Sequence, residues 1–160
     1  MVFAVGMATA AAQEMMPPVA APPLEHPLTT APERFDFGDF SSQALTTQAW
    51  QALKAKDDAA VAVYTGTCVD LYEEEAVRQQ AGLRGLAPAD RAFEYWALND
   101  VATSLFIRGE SLRLQGRFED ARAALTRIVQ EFPSAQCWDP RGWFWSVAFA
   151  AQIRLQHVLP

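Results

Sequence analysis

Between residues 118 and 132 the apolar positions recur with almost no error. Phe118, Ala121, Leu125, Ile128 and Phe132 sit three and four apart, with Val129 alongside. That spacing places them on one face of an α-helix, and Pro133 ends it. The same period, less strictly kept, runs through most of the chain upstream. A first helix opens at Ser41 or Ser42, both good N-caps, and runs to about Lys54 with Leu45, Ala49 and Leu53 on one stripe. Lys56-Asp57-Asp58 makes a turn. A second helix spans about Ala59 to Ala81, with Val61, Tyr64, Cys68 and Leu71 inward and Tyr72 beside them; Gly82 and Gly85 close it.

Leu86-Ala87-Pro88 opens a third helix, from about Ala89 to Gln115, stopped by Gly116. It carries two apolar stripes. One is Phe93, Ala97, Val101, Leu105, Gly109 and Leu112; the other is Tyr95, Leu98, Ala102 and Phe106. Two stripes predict helices packed on two sides, as in a solenoid. A fifth helix is expected to begin at Asp139-Pro140, with aspartate as cap and proline at the first helical position. It would run to about Val158, with Phe144, Ala148, Ala151, Leu155 and Val158 inward and Gln152, Arg154, Gln156 and His157 outward. No strand is predicted, and Trp143-Phe144-Trp145 is read as helical. The expected fold is therefore all-α, with about five helices over residues 35–160.

The N-terminal residues break this pattern. Residues 1–12 are apolar and end in Ala10-Ala11-Ala12, like a shortened secretory signal with its cleavage site. A periplasmic or secreted location follows from that reading; an apolar terminus and a cytoplasmic protein is the other. Residues 13–34 hold six of the ten prolines and read as a flexible spacer, in which His26 is a solvated residue. The three aromatics of the run Phe35 to Phe40 are expected to fold back on the first helices.

Composition narrows the function. With 160 residues, 51% hydrophobic and 20% charged, the chain can bury a core without metal or disulfide. A net charge of −6 argues against nucleic acid, which requires a basic stripe. No apolar run is long enough to span a membrane. Arg108, Arg113, Arg117, Arg122 and Arg127 lie close to Glu110, Glu119, Asp120 or Glu131 and read as an ion-paired helix surface. Cys68 and Cys137 fit no zinc spacing; they form one disulfide, or Cys68 is a small core residue. No cofactor motif or metal cluster is present.

Residues 96–133 carry small residues where two helices must touch, and the segment resembles a tetratricopeptide repeat. Counted back from Pro133, Gly109 and Ala121 fall at the small positions of its two helices, and Leu105, Leu112 and Leu125 at large apolar ones. A weaker copy, Ala60, Tyr64, Thr67, Cys68 and Leu71, matches Ala121, Leu125, Ile128, Val129 and Phe132 at an offset of 61, with residues 82–95 as an insertion. The resemblance implies two repeat-like units plus a capping helix, and a protein or peptide partner. It also implies a groove lined by Tyr95, Asn99, Thr103, Phe106, Glu110 and Arg113, joined by Trp145, Phe149 and Gln152 of the fifth helix. Aromatics, an amide and one arginine would suit an extended peptide or a carboxylate-bearing tail. Phe106 and Trp145 could instead pack between helices.

The segments YWALNDV and AQCWDPRGWFW also resemble an uncharacterised bacterial family, some of whose members carry the label "beta-glucanase precursor". The likeness covers residues 36 to about 150. No catalytic residues follow from it. Glycoside hydrolysis needs two carboxyls facing across a cleft. Glu94 and Asp100 are expected on different faces, and Glu73, Glu74 and Glu75 read as a solvated helix end. Trp138, Trp143 and Trp145 either close the helical core or form a patch for sugar or a partner. The leading expectation is a non-catalytic peptide-binding module, ahead of a carbohydrate-binding module and a small cell-wall glycan hydrolase.

Overall fold

Ser41 starts the first helix, its Oγ accepting from the Ala44 amide. The computed structural model describes residues 35–158, all within the unit Glu33–Pro160. The expectations for residues 1–12 and for 13–34, His26 included, lie outside the described residues. Five α-helices follow: α1 (Ser42–Ala55), α2 (Asp58–Ala81), α3 (Trp96–Leu114), α4 (Phe118–Glu131) and α5 (Val147–Leu155). A 3-10 turn (Ala92–Tyr95) precedes α3, and a hairpin of β1 (Gln136–Asp139) and β2 (Trp143–Ser146) precedes α5. The fold is all-α in its core: α1 pairs with α2 and α3 with α4, with α5 against α3 and α4.

The α3–α4 seam explains the small residues. A Cβ added to Gly109 would lie 2.9 Å from both Cγ and Cδ2 of Leu125, inside any real contact. Gly109 lets the two backbones approach, and Leu125 fills the space its missing side chain leaves. Ala121, Leu125, Ile128 and Phe132 are all fully buried. Gly116, at φ +75°, turns the chain between the helices, and the Arg117 amide returns to the Leu112 carbonyl at 2.9 Å. The core runs through α3, which is buried along most of its circumference, as its two stripes require. Phe93, at the head of the first stripe, and Phe118, at the head of α4, are the exceptions and stay exposed.

The upstream copy keeps the repeat only in part. Ala60, Tyr64 and Cys68 are buried, but Leu71 is 55% exposed where its counterpart Phe132 is fully buried. α2 runs on past that point, and its last turns act as a clamp. Gln79 Oε1 accepts from the Leu98 amide at 3.0 Å, and Gln80 Oε1 accepts from the Ser134 amide at 2.9 Å. The start of α3 is thus capped by a side chain from another helix. This is why α3 begins at Trp96 and not at Ala89: Pro88 O accepts from the Arg91 amide in a tight turn, and Asn99 Nδ2 holds the Ala92 carbonyl at 2.8 Å.

The predicted fifth-helix start is overturned. Asp139-Pro140-Arg141-Gly142 is a hairpin turn. The Gly142 amide donates to Asp139 O at 2.9 Å, Asp139 Oδ1 accepts from the Arg141 amide, and Gly142 sits at φ +108°. Aspartate first, proline second and glycine fourth is the signature of a type I turn, and the flanking aromatics favour strands. Trp143-Phe144-Trp145 is therefore extended, paired with Asp139, Trp138 and Cys137. α5 starts at Val147, capped by Ser146. The aromatics at 35–40 do fold back: Phe35 and Phe37 meet the Tyr64 ring edge-on at 5.9 and 5.7 Å.

Candidate binding cleft

Two polar side chains, one turn apart on α1, begin the site. Ser42 Oγ donates to Asp100 Oδ2 at 2.5 Å, and Thr46 Oγ1 donates to the Ser42 carbonyl at 2.7 Å. The Thr46 proton is then committed, so Ser104 Oγ, 3.3 Å away, must donate to Thr46. Cys68 Sγ lies 3.9 Å from the same hydroxyl. This polar seam joins α1, α2 and α3 beneath a cleft of about 850 Å³.

Helical spacing brings the walls together. α1 contributes Ser42, Thr46 and Trp50, at i, i+4 and i+8; α3 contributes Trp96, Asp100 and Thr103, at i, i+4 and i+7. α2 contributes Tyr72, and the hairpin adds Cys137, Trp138 and Phe144. Phe93, Trp138 and Phe144 pack as a cluster with centroids 4.9 to 5.8 Å apart, and Tyr72 meets Trp96 edge-on at 5.5 Å. The rim stays open: Phe93 is 65% and Trp96 45% exposed. Solvent-facing aromatics around a polar floor are a common form of ligand site.

Burial sets the electrostatics. It pushes the Asp100 carboxyl up to about 6, and its hydrogen bond from Ser42 only partly opposes this. Burial also raises both thiols, Cys68 and Cys137, to about 11, leaving them neutral and poorly nucleophilic. Both are free cysteines, so the disulfide reading is overturned. Cys68 is the small core residue of the other reading. Among the described residues lining the cleft, Asp100 is the one charged side chain. No group of three potential metal ligands occurs among the described residues, nor does any helix there that is long and apolar enough to cross a membrane.

The sequence-predicted groove residues divide. Asn99 and Thr103 line the cleft. Asn99 is structurally engaged at both ends, since its Oδ1 also accepts from the Gln136 amide at 2.8 Å. Phe106 and Trp145 pack against each other at 5.6 Å, and the Trp50 ring lies 6.4 Å from that of Phe106. Tyr95 is half-buried in the 3-10 turn against the core. Glu110 is buried between two arginines: Arg113 at 3.2 Å and Arg154, whose Nε lies 3.0 Å away without hydrogen-bond direction. Arg113 therefore does not reach the cleft, and neither does Phe149, an exposed residue of α5. Strand alternation puts Trp138 on one face of the hairpin and Trp143 and Trp145 on the other, with Arg141 4.5 Å over the Trp143 ring. The three do not form one surface.

The periodicity assigns Tyr72 and Phe93 to apolar core stripes and gives Ser42, Thr46, Trp50, Trp96 and Asp100 no place in a binding site. The Trp96–Asp100–Thr103 spacing was legible as a shared face; the meeting of that face with α1 was not.

A second, smaller cleft of about 350 Å³ lies among α2, α3 and α4. Its charges are largely answered internally. Arg117 pairs with Asp120, Arg127 with Glu131 and Glu73, and Asp58 accepts from Ser111 Oγ at 2.6 Å. Glu73 thus belongs to an ion pair between helices, not to a solvated end.

The fold is all-α and tetratricopeptide-like, most clearly in the α3–α4 hairpin, where Gly109 lets the two helices cross closely. The sequence profile of the tetratricopeptide repeat matches residues 103–135, which take in most of α3 and all of α4. Such repeats are protein-interaction units and are generally non-catalytic. No curated protein and no solved structure matches the chain, and the likeness to the family labelled "beta-glucanase precursor" has no support from these comparisons.

Proposed function

We propose that this chain is a non-catalytic interaction module that holds an extended segment of a partner protein in the cleft between α1, α3 and the β1–β2 hairpin. One observation carries the reading. Exposed aromatics, Phe93 and Trp96 foremost, ring a polar floor built from hydroxyls and a single carboxylate. Aromatic side chains left open at a cleft mouth supply most of the energy in peptide recognition. The sequence expectation of an arginine in this groove is replaced, because Arg113 is held by Glu110.

The test is selection of peptides from a random display library on immobilised protein. Trp96→Ala removes a wall; Phe118→Ala removes an exposed aromatic on α4, outside the cleft. Peptides retained by wild type and Phe118→Ala but lost on Trp96→Ala support the reading. Peptides that bind all three proteins alike sink it. Retention of soluble glucans in place of peptides, with loss on Trp96→Ala, transfers the cleft to a carbohydrate ligand.

A further inference from the structure

The cleft has an uneven charge balance. Its lining holds Asp100 and, among the described residues, no lysine, arginine or histidine. Asp100 Oδ2 is taken by Ser42, and no described residue donates to Oδ1. A carboxylate withdrawn from water without a cation is costly unless something answers it. The α1 N-terminus, which opens on the same cleft and would otherwise favour an anion, is already occupied. Asp39 Oδ1 accepts from the Ser41 amide at 2.9 Å, Ser41 Oγ accepts from the Ala44 amide, and Asp100 accepts from Ser42. Trp96 lies one helical turn from Asp100 on the same face of α3, with the Tyr72 ring edge-on to it. An indole face beside an unpaired carboxylate suits an organic cation.

We propose that the cleft takes a lysine side chain of the partner peptide, with its ammonium at Asp100 and its methylene stem along Trp96. This rests on the peptide-binding reading and reverses the sign expected of the ligand: a cation, not a carboxylate tail. The chain's net charge of −6 adds a field that draws such a partner in. The ammonium would meet Asp100 Oδ1, the oxygen that Ser42 leaves open. The stem would cover exposed indole surface, as lysine stems do on apolar walls.

The titratable groups around Asp100 in the cleft are the Tyr72 phenol and Cys68 thiol of α2 and the Cys137 thiol of β1; burial pushes both thiols up to about 11, so they stay neutral where Asp100 titrates. Lysine stays protonated throughout the working range. Binding should therefore follow the Asp100 charge alone, half-lost at about pH 6 and fading further below it.

The experiment is a titration of the full chain with Nα-acetyl-lysine methylamide, read from the indole N–H resonances of Trp96, Trp50 and Trp138. The Nε-acetylated analogue, Nα-acetyl-glutamate methylamide and choline serve as comparison probes. The lysine probe should shift the Trp96 resonance and lose affinity as pH falls through about 6. Acetylation or Asp100→Asn should weaken it by about tenfold or more, the scale of one charge-assisted contact. Equal binding of the acetylated probe to the wild-type chain overturns the proposal even if Asp100→Asn fails to fold. Tighter binding of choline overturns the lysine assignment. Display-selected peptides that depend on Trp96 yet lack any basic residue overturn the cation while leaving peptide binding intact. Titration by the lysine probe with no peptide selected supports the cation site and sinks the peptide reading.

Discussion

The α3–α4 hairpin and the cleft wall share one helix and obey opposite rules. On the α4 side of α3, the crossing is decided by shape. Gly109 and Leu125 interlock, and Ala121 is fully buried beside them. On the α1 side, the same helix presents Trp96, Asp100, Thr103 and Ser104, and hydroxyls replace methyls at the contact. The first side is built to be stable. The second carries a partly desolvated carboxylate and open aromatics, features that cost stability. One helix thus separates a structural seam from a candidate site.

The comparison breaks most sharply at Leu125. Leu125→Ala should cost about 2–5 kcal/mol, the usual loss for a buried leucine, seen as a lower denaturant midpoint. Gly109→Ala attacks the same seam from the other side. Overpacking costs about 1–3 kcal/mol and the gain in helix propensity returns up to about 1 kcal/mol. The net is destabilising, and Leu125→Val in the same chain should recover part of it. If Gly109→Ala proves neutral, the tight crossing is not what that glycine is for.

Asp100→Asn tests the other side, and its sign is opposite. A carboxyl with its folded pKa raised to about 6 holds its proton more tightly than in the unfolded chain. The folded state binds more protons between about pH 4 and 6, so its stability falls as pH rises through that window. Asp100→Asn should then stabilise the protein by about 1–2 kcal/mol near pH 7.5, after allowance for its partial exposure. The gain should vanish near pH 4. A loss of stability at both pH values would mean that the Ser42 hydrogen bond outweighs desolvation.

The smallest effect belongs to the surface. Arg117→Ala breaks an exposed pair with Asp120 and should change stability by less than about 1 kcal/mol, with the difference shrinking in high salt.

The hairpin at 136–146 shows why helical periodicity misled in one place. Asp139-Pro140 satisfies the rules for a helix start and for a type I turn equally well. Gly142, two residues on, decides for the turn, and the paired aromatics complete the strands. The late start of α3 had no local signal, because Gln79 from α2 caps it and Gln136 Nε2 holds the Ala87 carbonyl at 3.0 Å.

By itself the sequence determined the helical class, the α3–α4 repeat with Gly109 and Ala121 at its crossing, the two-sided burial of α3, and the pairing of Arg117 with Asp120, Arg122 with Glu119 and Arg127 with Glu131 along α4. Periodicity and side-chain size encode these within a few turns of chain. Only the tertiary structure decided which polar residues meet. Ser42 and Asp100 stand 58 residues apart in sequence, yet share a 2.5 Å hydrogen bond. Arg113 is drawn to Glu110 and away from the groove. Spacing along one helix fixes a face, but the partner of that face is set by how the helices dock.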